Sequence, residues 1–260
     1  APIYVGGYDF VNEDSDPMDD HGHGTHVAGT IAAAENNSGV VGMAPAVRLY
    51  ALKTGSASGS FAWSDTIAAL DWCISQGIQI TNSSFGGSTL SSSMQLAYSK
   101  AEAAGILNLA AAGNSGTADG SSDTVLYPAK YDAAVAIASV DSKYNRASSS
   151  STGSAVELAA FGVTIKSTLL GGGYGYKSGT SMACPHASGA AALVLSAGIQ
   201  DANGNGRVND ELRSLLASTA MDLGSSGRDT WYGFGCVDVR AAVNRVGVPQ
   251  PTATPTPEAT

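Results

Sequence analysis

The sequence predicts one α/β domain built on a mostly parallel sheet, with helices covering both faces as a three-layer sandwich. Apolar segments of strand length alternate with helical segments along most of the 260 residues. Two of these strands, 106–112 and 133–140, are apolar apart from one polar residue each, which is typical of strands buried on both faces. A chain of this length can bury the core that such an arrangement requires.

The other elements follow from local patterns. Residues 1–20 are turn-rich and acidic, and helix 64–76 is indicated by Ile67, Leu70 and Ile74 at offsets of three and four. Helix 94–104 is expected to stop at Gly105, which suits a C-cap. The remaining predicted strands are 46–53 and 78–83, and the remaining predicted helices are 24–35, 180–197 and 211–217.

The C-terminal end differs from the rest of the chain in composition. From Pro249 the sequence PQPTATPTPEAT is typical of an extended Pro/Thr linker. We therefore expect a domain over residues 1–248 and a linker over residues 249–260.

Composition excludes several classes of function. The net charge is −9, and the 13 Lys and Arg residues form no run, so nucleic acid is not an expected partner. No apolar stretch is long enough to span a bilayer.

Cys73, Cys184 and Cys236 lie far apart with no Cys-x-x-Cys pattern, and we expect no disulfide among them. Because neither a start Met nor a signal peptide is present, we expect a processed chain or a fragment.

Three short motifs carry candidate chemistry. The first, HGHGTHVAG, opens a predicted helix, and a helix N-terminus favours the neutral, proton-accepting form of His23. A metal site at His23 and His26 is the alternative, although the His-Glu-x-x-His pattern is absent.

The second and third motifs are AAAGN and GTSMACPH. Ser181 opens a helix, where backbone N–H groups can stabilise negative charge. Asn114 follows a predicted strand, and its amide could donate to an oxyanion. Taken separately, Ser181 suits an N-cap and Asn114 suits a turn.

Together and in this order, the three motifs resemble those of the subtilisin-like serine peptidases, the subtilases. The resemblance covers residues 4 to about 246. It implies that Ser181 is the nucleophile that forms an acyl-enzyme, His23 the general base and Asn114 the oxyanion-hole side chain. His26 and His186 match histidines of the same motifs that are not the base, and we expect them to be structural.

The resemblance also implies a substrate cleft formed by two chain segments that clamp a peptide by β-addition. Leu126 would lie near the floor of the primary specificity pocket. The residues expected to bind substrate are Ser58, Gly59, Ser60, Ser84, Phe85, Gly86, Ala111, Gly113 and Leu126.

Two segments resemble the calcium loops of subtilases, so calcium is the expected structural cofactor. One loop would use the Asn36 side chain and the carbonyls of Ala34, Ser38 and Val40; the other would use Asp9, Asn12, Asp14 and Asp16. A solvated acidic turn is the alternative for the second loop. The DANGNGRVND stretch resembles the opening of an EF-hand loop, but an Asx-rich turn with Asn209 capping the next helix suits it better.

One departure from the subtilase pattern concerns the acid of the triad. The family order is Asp, His, Ser, with Asp at the end of the first core strand, and no such motif precedes His23. Asp19 and Asp20 match the loop after that strand. We therefore expect both the first core strand and its Asp to be missing from residues 1–260.

The resulting functional expectation is a secreted, extracellular and monomeric serine endopeptidase acting on protein or peptide substrates, with a propeptide assisting folding. Residues 1–260 by themselves would be impaired. The alternatives are a catalytically dead binding or scaffold protein on the same fold and a calcium-dependent surface-adhesion module.

Overall fold

The computed structural model describes residues 4–247, so the predicted linker lies outside the described residues. The strands are β1 Tyr4–Asp9, β2 Leu49–Lys53, β3 Ile80–Ser83, β4 Leu107–Ala111, β5 Val135–Val140, β6 Val156–Phe161, β7 Ile165–Thr168 and β8 Tyr174–Lys177. The helices are α1 His23–Ala32, α2 Trp63–Ser75, α3 Ser92–Ala103, α4 Thr180–Ser196, α5 Asn209–Thr219 and α6 Val239–Arg245.

The central sheet is parallel. Strands β3, β4, β5 and β6 lie side by side in sequence order, and every neighbouring pair is parallel. The β1–β2 pair is also parallel, whereas β7 and β8 form an antiparallel hairpin. Because parallel strands share one direction, the carboxyl ends of β3 and β4 open on the same edge of the sheet, where Ser84 and Asn114 follow.

Helices cover both faces of this sheet, as the sequence predicts. Along β4, Leu109 and Ala111 face one hydrophobic cluster, and Ala110 faces the other. The first cluster is completed by α4 and α5, and the second by α2 and α3. The period-2 division of an apolar strand between two cores is the signature of a sheet buried on both sides.

The N-terminal segment forms a strand, which corrects the expectation that residues 1–20 are turn-rich throughout. Tyr4–Asp9 pairs with Leu49–Lys53 through long-range hydrogen bonds that no local pattern shows. Gly7 permits the close approach, since a Cβ there would lie 1.8 Å from the Ala51 carbonyl oxygen. Tertiary pairing therefore decides the structure of this glycine-rich segment.

Strands β2 and β3 each have a strand partner on one side only within the described residues. Strand β2 pairs with β1, and β3 pairs with β4, but β2 and β3 belong to different sheets. An unpaired edge leaves backbone N–H and C=O groups without ladder partners. The first core strand expected from the sequence would supply such partners, and it stays a prediction.

The start of α5 differs from the cap that the sequence predicts. Helix α5 begins at Asn209, whose Nδ2 donates to the carbonyls of Glu102 and Ile106 instead of capping the helix, which corrects the capping prediction. Cys73, Cys184 and Cys236 are free and buried. Over residues 4–247, none of the helices has the length and apolar character needed to cross a bilayer.

Candidate active site

His23 is the first residue of α1. The preceding Gly22 adopts a left-handed conformation, with φ of 86°, and α1 packs against α4. The pKa of His23 lies below its ordinary value of 6.5, because the ring is partly desolvated and because the Lys177 ammonium lies near it. Neutral imidazole is the form that accepts a proton, so this environment suits a general base.

Asp19 does not serve as the acid partner of His23. Its Oδ1 accepts the backbone N–H groups of His21 and Gly22, and its Oδ2 accepts the N–H and the hydroxyl of Thr25. Burial alone would raise the pKa of Asp19, but these hydrogen bonds lower it to about 2. Both oxygens are therefore occupied in holding the loop onto the start of α1.

The other nearby carboxylate is also occupied. Asp20 pairs with Lys53 at 2.8 Å. Among the described residues, neither ring nitrogen of His23 has a hydrogen-bond partner, so no carboxylate is bonded to the ring. The expectation that neither Asp19 nor Asp20 belongs to a triad stays a prediction.

Ser181 is the second residue of α4. Gly179 precedes the helix with φ of 145° and ψ of 169°, a conformation that residues with a Cβ avoid. The Ser181 hydroxyl donates to the Ser84 carbonyl at 2.9 Å. At this position the hydroxyl and the backbone N–H both lie in the first turn of a 17-residue helix, which favours negative charge.

Asn114 lies just beyond β4 with its amide in a fixed orientation. Its Oδ1 accepts from the backbone N–H of Thr180 at 2.9 Å and from the Thr180 hydroxyl at 3.2 Å. The same hydroxyl accepts from Gly113 N–H at 3.1 Å. Asn114 is exposed, and within residues 4–247 its Nδ2 makes no hydrogen bond; Thr180, which holds the amide, directly precedes Ser181.

The remaining histidines have structural contacts. His26 is 0% exposed, and its Nε2 lies 3.2 Å from the Gly175 carbonyl in β8. The His26 carbonyl accepts from Ser167 in β7 at 2.8 Å, which joins α1 to the hairpin. His186 Nδ1 lies 2.9 Å from the Met182 carbonyl one turn earlier in α4.

The two expected clamp segments meet through aromatic rings. The Phe61 ring lies 4.9 Å from Phe85 and 5.2 Å from Trp63. Ser58, Gly59 and Ser60 form an exposed turn, and a Cβ at Gly59 would lie 3.0 Å from His21 Nε2. The two segments therefore contact each other through Phe61 and Phe85, and their role in binding substrate stays a prediction.

The Leu126 side chain lies between Gly86 and Gly113. A Cβ at Gly86 would lie 3.0 Å from Leu126 Cβ, and a Cβ at Gly113 would lie 2.7 Å from Leu126 Cγ. Leu126 N–H also donates to the Ala112 carbonyl, next to Ala111 at the end of β4. The side chain thus fills volume that a smaller residue would leave open between Gly86 and Gly113.

The expected calcium residues fit an ion unequally. Asp9 is 1% exposed, and its carboxylate accepts from Lys53 Nζ, the Val11 and Asn12 N–H groups and Asn12 Nδ2. Burial opposes the change, but the Lys53 and Asn12 hydrogen bonds lower the pKa of Asp9 to about 2. A lysine already neutralises Asp9, so this residue and Asn12 do not suit a cation site.

The other loop residues are accessible. Asp14 and Asp16 are exposed, and each accepts a single backbone N–H within the loop. Asn36 Oδ1 accepts the Ser38 N–H at 3.1 Å in an exposed turn that runs from Ala34 past Val40. Over residues 4–247, no three His, Cys, Asp or Glu side chains are grouped so as to hold a metal. The Asn36 loop, with its carbonyl and amide oxygens, suits calcium better than the Asp9 loop does.

A cavity of about 480 Å³ lies at the opposite edge of the sheet from Ser181. It is lined by residues that include Leu107 and Glu157, where β4 and β6 begin. Arg213 in this cavity donates to both oxygens of Glu157, at 2.7 and 2.6 Å. These groups satisfy each other and lie apart from the candidate active site.

Sequence reasoning missed three contributors to this site: Thr180, Lys177 and the Ser84 hydroxyl. Thr180 fixes the Asn114 amide, and Lys177 acts on the pKa of His23. The sequence indicates Ser84 only as part of the substrate clamp. The single signal for Thr180 is its place immediately before Ser181, while nothing in the sequence places Lys177 beside His23.

These features define a subtilisin-like α/β fold with histidine and serine at two helix N-termini and an asparagine amide oriented by the residue before the serine. The chain belongs to the subtilase family, whose model matches residues 3–235. It is 45% identical to subtilisin DY of Bacillus licheniformis over 238 residues, which cover 92% of this chain and 83% of that protein.

Two further relatives show the same range of similarity. The chain is 46% identical to subtilisin E of Bacillus subtilis (strain 168) over 238 residues, 91% of this chain and 60% of that protein. It is 40% identical to subtilisin Savinase of Lederbergia lenta over 237 residues, 91% of this chain and 83% of that protein. The resemblance drawn from the three motifs is confirmed.

Proposed function

We propose that this chain is the catalytic domain of a secreted serine endopeptidase. The observation that carries the proposal is the Thr180–Asn114 contact, which leaves the Asn114 Nδ2 free beside the first turn of α4, where Ser181 lies. A binding module has no physical need for a serine, a neutral histidine and an oriented amide together. Membership of the subtilase family supports the same reaction class.

The mechanism follows from the roles of the side chains. Ser181 Oγ attacks the carbonyl carbon of a peptide bond while His23 accepts its proton. The oxyanion of the tetrahedral intermediate accepts from Asn114 Nδ2 and the Ser181 backbone N–H. His23 then protonates the leaving amine, and water repeats these steps on the acyl-enzyme.

Ser181 must change its hydrogen bond to react. In the resting geometry its hydroxyl donates to the Ser84 carbonyl, so rotation about the Cα–Cβ bond has to turn it towards His23. Substrate binding along the 84–87 segment would compete for the same carbonyl, because β-addition uses backbone N–H and C=O groups.

The proposed mechanism also requires an acid that bonds to His23, and none of the described carboxylates does so. An Asp at the end of a strand pairing with the free edge of β2 or β3 would supply it and would also extend the sheet. Orientation and stabilisation of His23 by that Asp would account for about 3 × 10⁴ in kcat, a figure measured on a subtilisin.

Labelling by a fluorophosphonate probe tests the proposal. We expect Ser181 to be labelled in the folded protein, and we expect no labelling in Ser181→Ala. Residues 1–260 are expected to hydrolyse a peptide anilide slowly or not at all, and a version with an added subtilase first strand carrying Asp is expected to hydrolyse it. Robust hydrolysis by residues 1–260, lost in Ser181→Ala, would show that an acid within the chain serves His23.

The second candidate is a catalytically inert subtilase-fold binding or scaffold protein. The observation that favours it is the absence, among the described residues, of a carboxylate hydrogen-bonded to His23. Absence of labelling at Ser181 in both versions, together with retained binding of a peptide inhibitor, would support this alternative.

A further inference from the structure

The carbonyl of Ser181 lacks its usual helical partner. In an α-helix, the carbonyl of residue i accepts the N–H of residue i+4, which for Ser181 is Pro185. Pro185 lies inside α4 and has no backbone N–H. The helix therefore leaves the main chain of the candidate nucleophile without the hydrogen bond that would hold it to the next turn.

Ser84 supplies the missing donor. Its Oγ donates to the Ser181 carbonyl at 2.9 Å, and the Ser181 hydroxyl donates back to the Ser84 carbonyl at 2.9 Å. Ser84 directly follows β3 and is 6% exposed, so solvent does not compete with these bonds. Two hydrogen bonds thus tie the nucleophile residue to the sheet.

The Ser84 hydroxyl is itself held in place. Asn82 Nδ2 donates to Ser84 Oγ at 2.9 Å, and Asn82 Oδ1 accepts from Ser188 Oγ in α4 at 3.0 Å. The Ser84 oxygen thus accepts from Asn82 while its hydroxyl donates to the Ser181 carbonyl, and the Cys184 thiol is a further neighbour of this hydroxyl. The chain of bonds runs from β3 into two places on α4.

We propose that Ser84 is a positioning residue for Ser181, with a role that depends on Pro185. Pro185 removes the helix donor, and the Ser84 hydroxyl takes its place. The backbone N–H of Ser181, an oxyanion donor, is thereby fixed relative to the sheet that carries Asn114. This role rests on the proposed function and concerns the reaction step, not the affinity for substrate.

The test is the rate of acylation of Ser181 by a fluorophosphonate probe, with the maximal rate and the probe affinity measured separately. Ser84→Ala is expected to lower the maximal rate roughly three- to tenfold, the value of one neutral hydrogen bond, with affinity unchanged. Ser83→Ala is the matched control. Ser83 is the last residue of β3, directly before Ser84, and is equally buried, but its hydroxyl bonds Tyr98 instead of Ser181.

A double-mutant cycle with Pro185→Ala separates this role from general stability. The substitution restores a backbone N–H that can donate to the Ser181 carbonyl, so Ser84→Ala is expected to cost less than twofold in that background. An equal loss in both backgrounds would overturn the proposal. If Ser84→Ala does not fold, Ser84→Cys, which keeps the size and weakens the donor, replaces it in the cycle with the same two outcomes.

The proposed function and the positioning role fail in different ways. No labelling of Ser181 in either the folded 260-residue protein or the version with the added Asp strand would overturn the proposed function and this role with it. Labelling of the unmodified protein at the same rate as Ser84→Ala would overturn the positioning role alone.

Discussion

The side-chain carbonyl of Asn114 accepts two hydrogen bonds from Thr180, one from its backbone N–H at 2.9 Å and one from its hydroxyl at 3.2 Å. Thr180 immediately precedes Ser181. The residue that orients the candidate oxyanion donor is therefore covalently joined to the candidate nucleophile. Any shift of the start of α4 would move both groups together.

Removal of the Asn114 amide should reduce turnover more than binding. We expect Asn114→Leu to lower kcat by ~10²–10³ with KM nearly unchanged, a magnitude established on a subtilisin. Thr180→Val, which keeps the backbone donor and removes the hydroxyl, should have a smaller effect. Steady-state kinetics on a peptide anilide, with the version that carries the added Asp strand, measure both effects, and an equal loss in kcat for the two variants would contradict the assignment.

The size of Leu126 should set the preference for the residue before the scissile bond. Because Leu126 fills the space between Gly86 and Gly113, we expect medium apolar residues to be preferred over Phe, Tyr and Lys. Leu126→Gly should raise the ratio of kcat/KM for Phe over Ala by about tenfold or more. General damage to the enzyme cancels in this ratio, and an unchanged ratio would show that Leu126 does not limit the pocket.

Lys177 should shift the acid limb of the pH–rate profile, in addition to the larger effect of burial on His23. His23 acts as a base only when neutral, so activity is lost as pH falls through its pKa, which lies below 6.5. Lys177→Gln removes a neighbouring positive charge and raises the pKa of His23, so the acid limb should move to higher pH. Lys166→Gln, on the same hairpin but over the Tyr174 ring, is the control and should leave the limb in place. A limb that moves equally in both variants would contradict the local effect.

Calcium at the Asn36 loop should appear as a change in stability. Chelation by EDTA is expected to lower the melting temperature. A bound ion whose free concentration is a hundred times Kd adds ~2.7 kcal/mol to the free energy of unfolding. Asn36→Ala should remove this sensitivity. Asp9→Asn is expected to destabilise the protein with or without calcium, because it breaks the contact with Lys53. Identical melting temperatures with and without EDTA would rule out a stabilising ion.

Local patterns predicted the strongly periodic or almost wholly apolar elements. Strand β4 and helix α4 lie within two residues of their expected bounds, because their apolar residues repeat in ways that leave little choice of structure. The β7–β8 hairpin and β1 were not predicted. Both are rich in glycine and polar residues, and both are held by partners distant in sequence. Strand β1 pairs with β2, and the hairpin is bonded to His26 of α1, in one case through Ser167.

The sequence by itself determined the family, the fold class and the identity of His23, Ser181 and Asn114 as candidates, because rare residues stand in fixed order beside glycines and helix starts. Only the tertiary structure decided how those side chains are held. Thr180 orients Asn114, Ser84 replaces the donor that Pro185 lacks, and Lys53 neutralises Asp9. The reason is physical: these hydrogen bonds and ion pairs join groups 44 to 97 positions apart, and their partners are chosen by packing that no local pattern encodes.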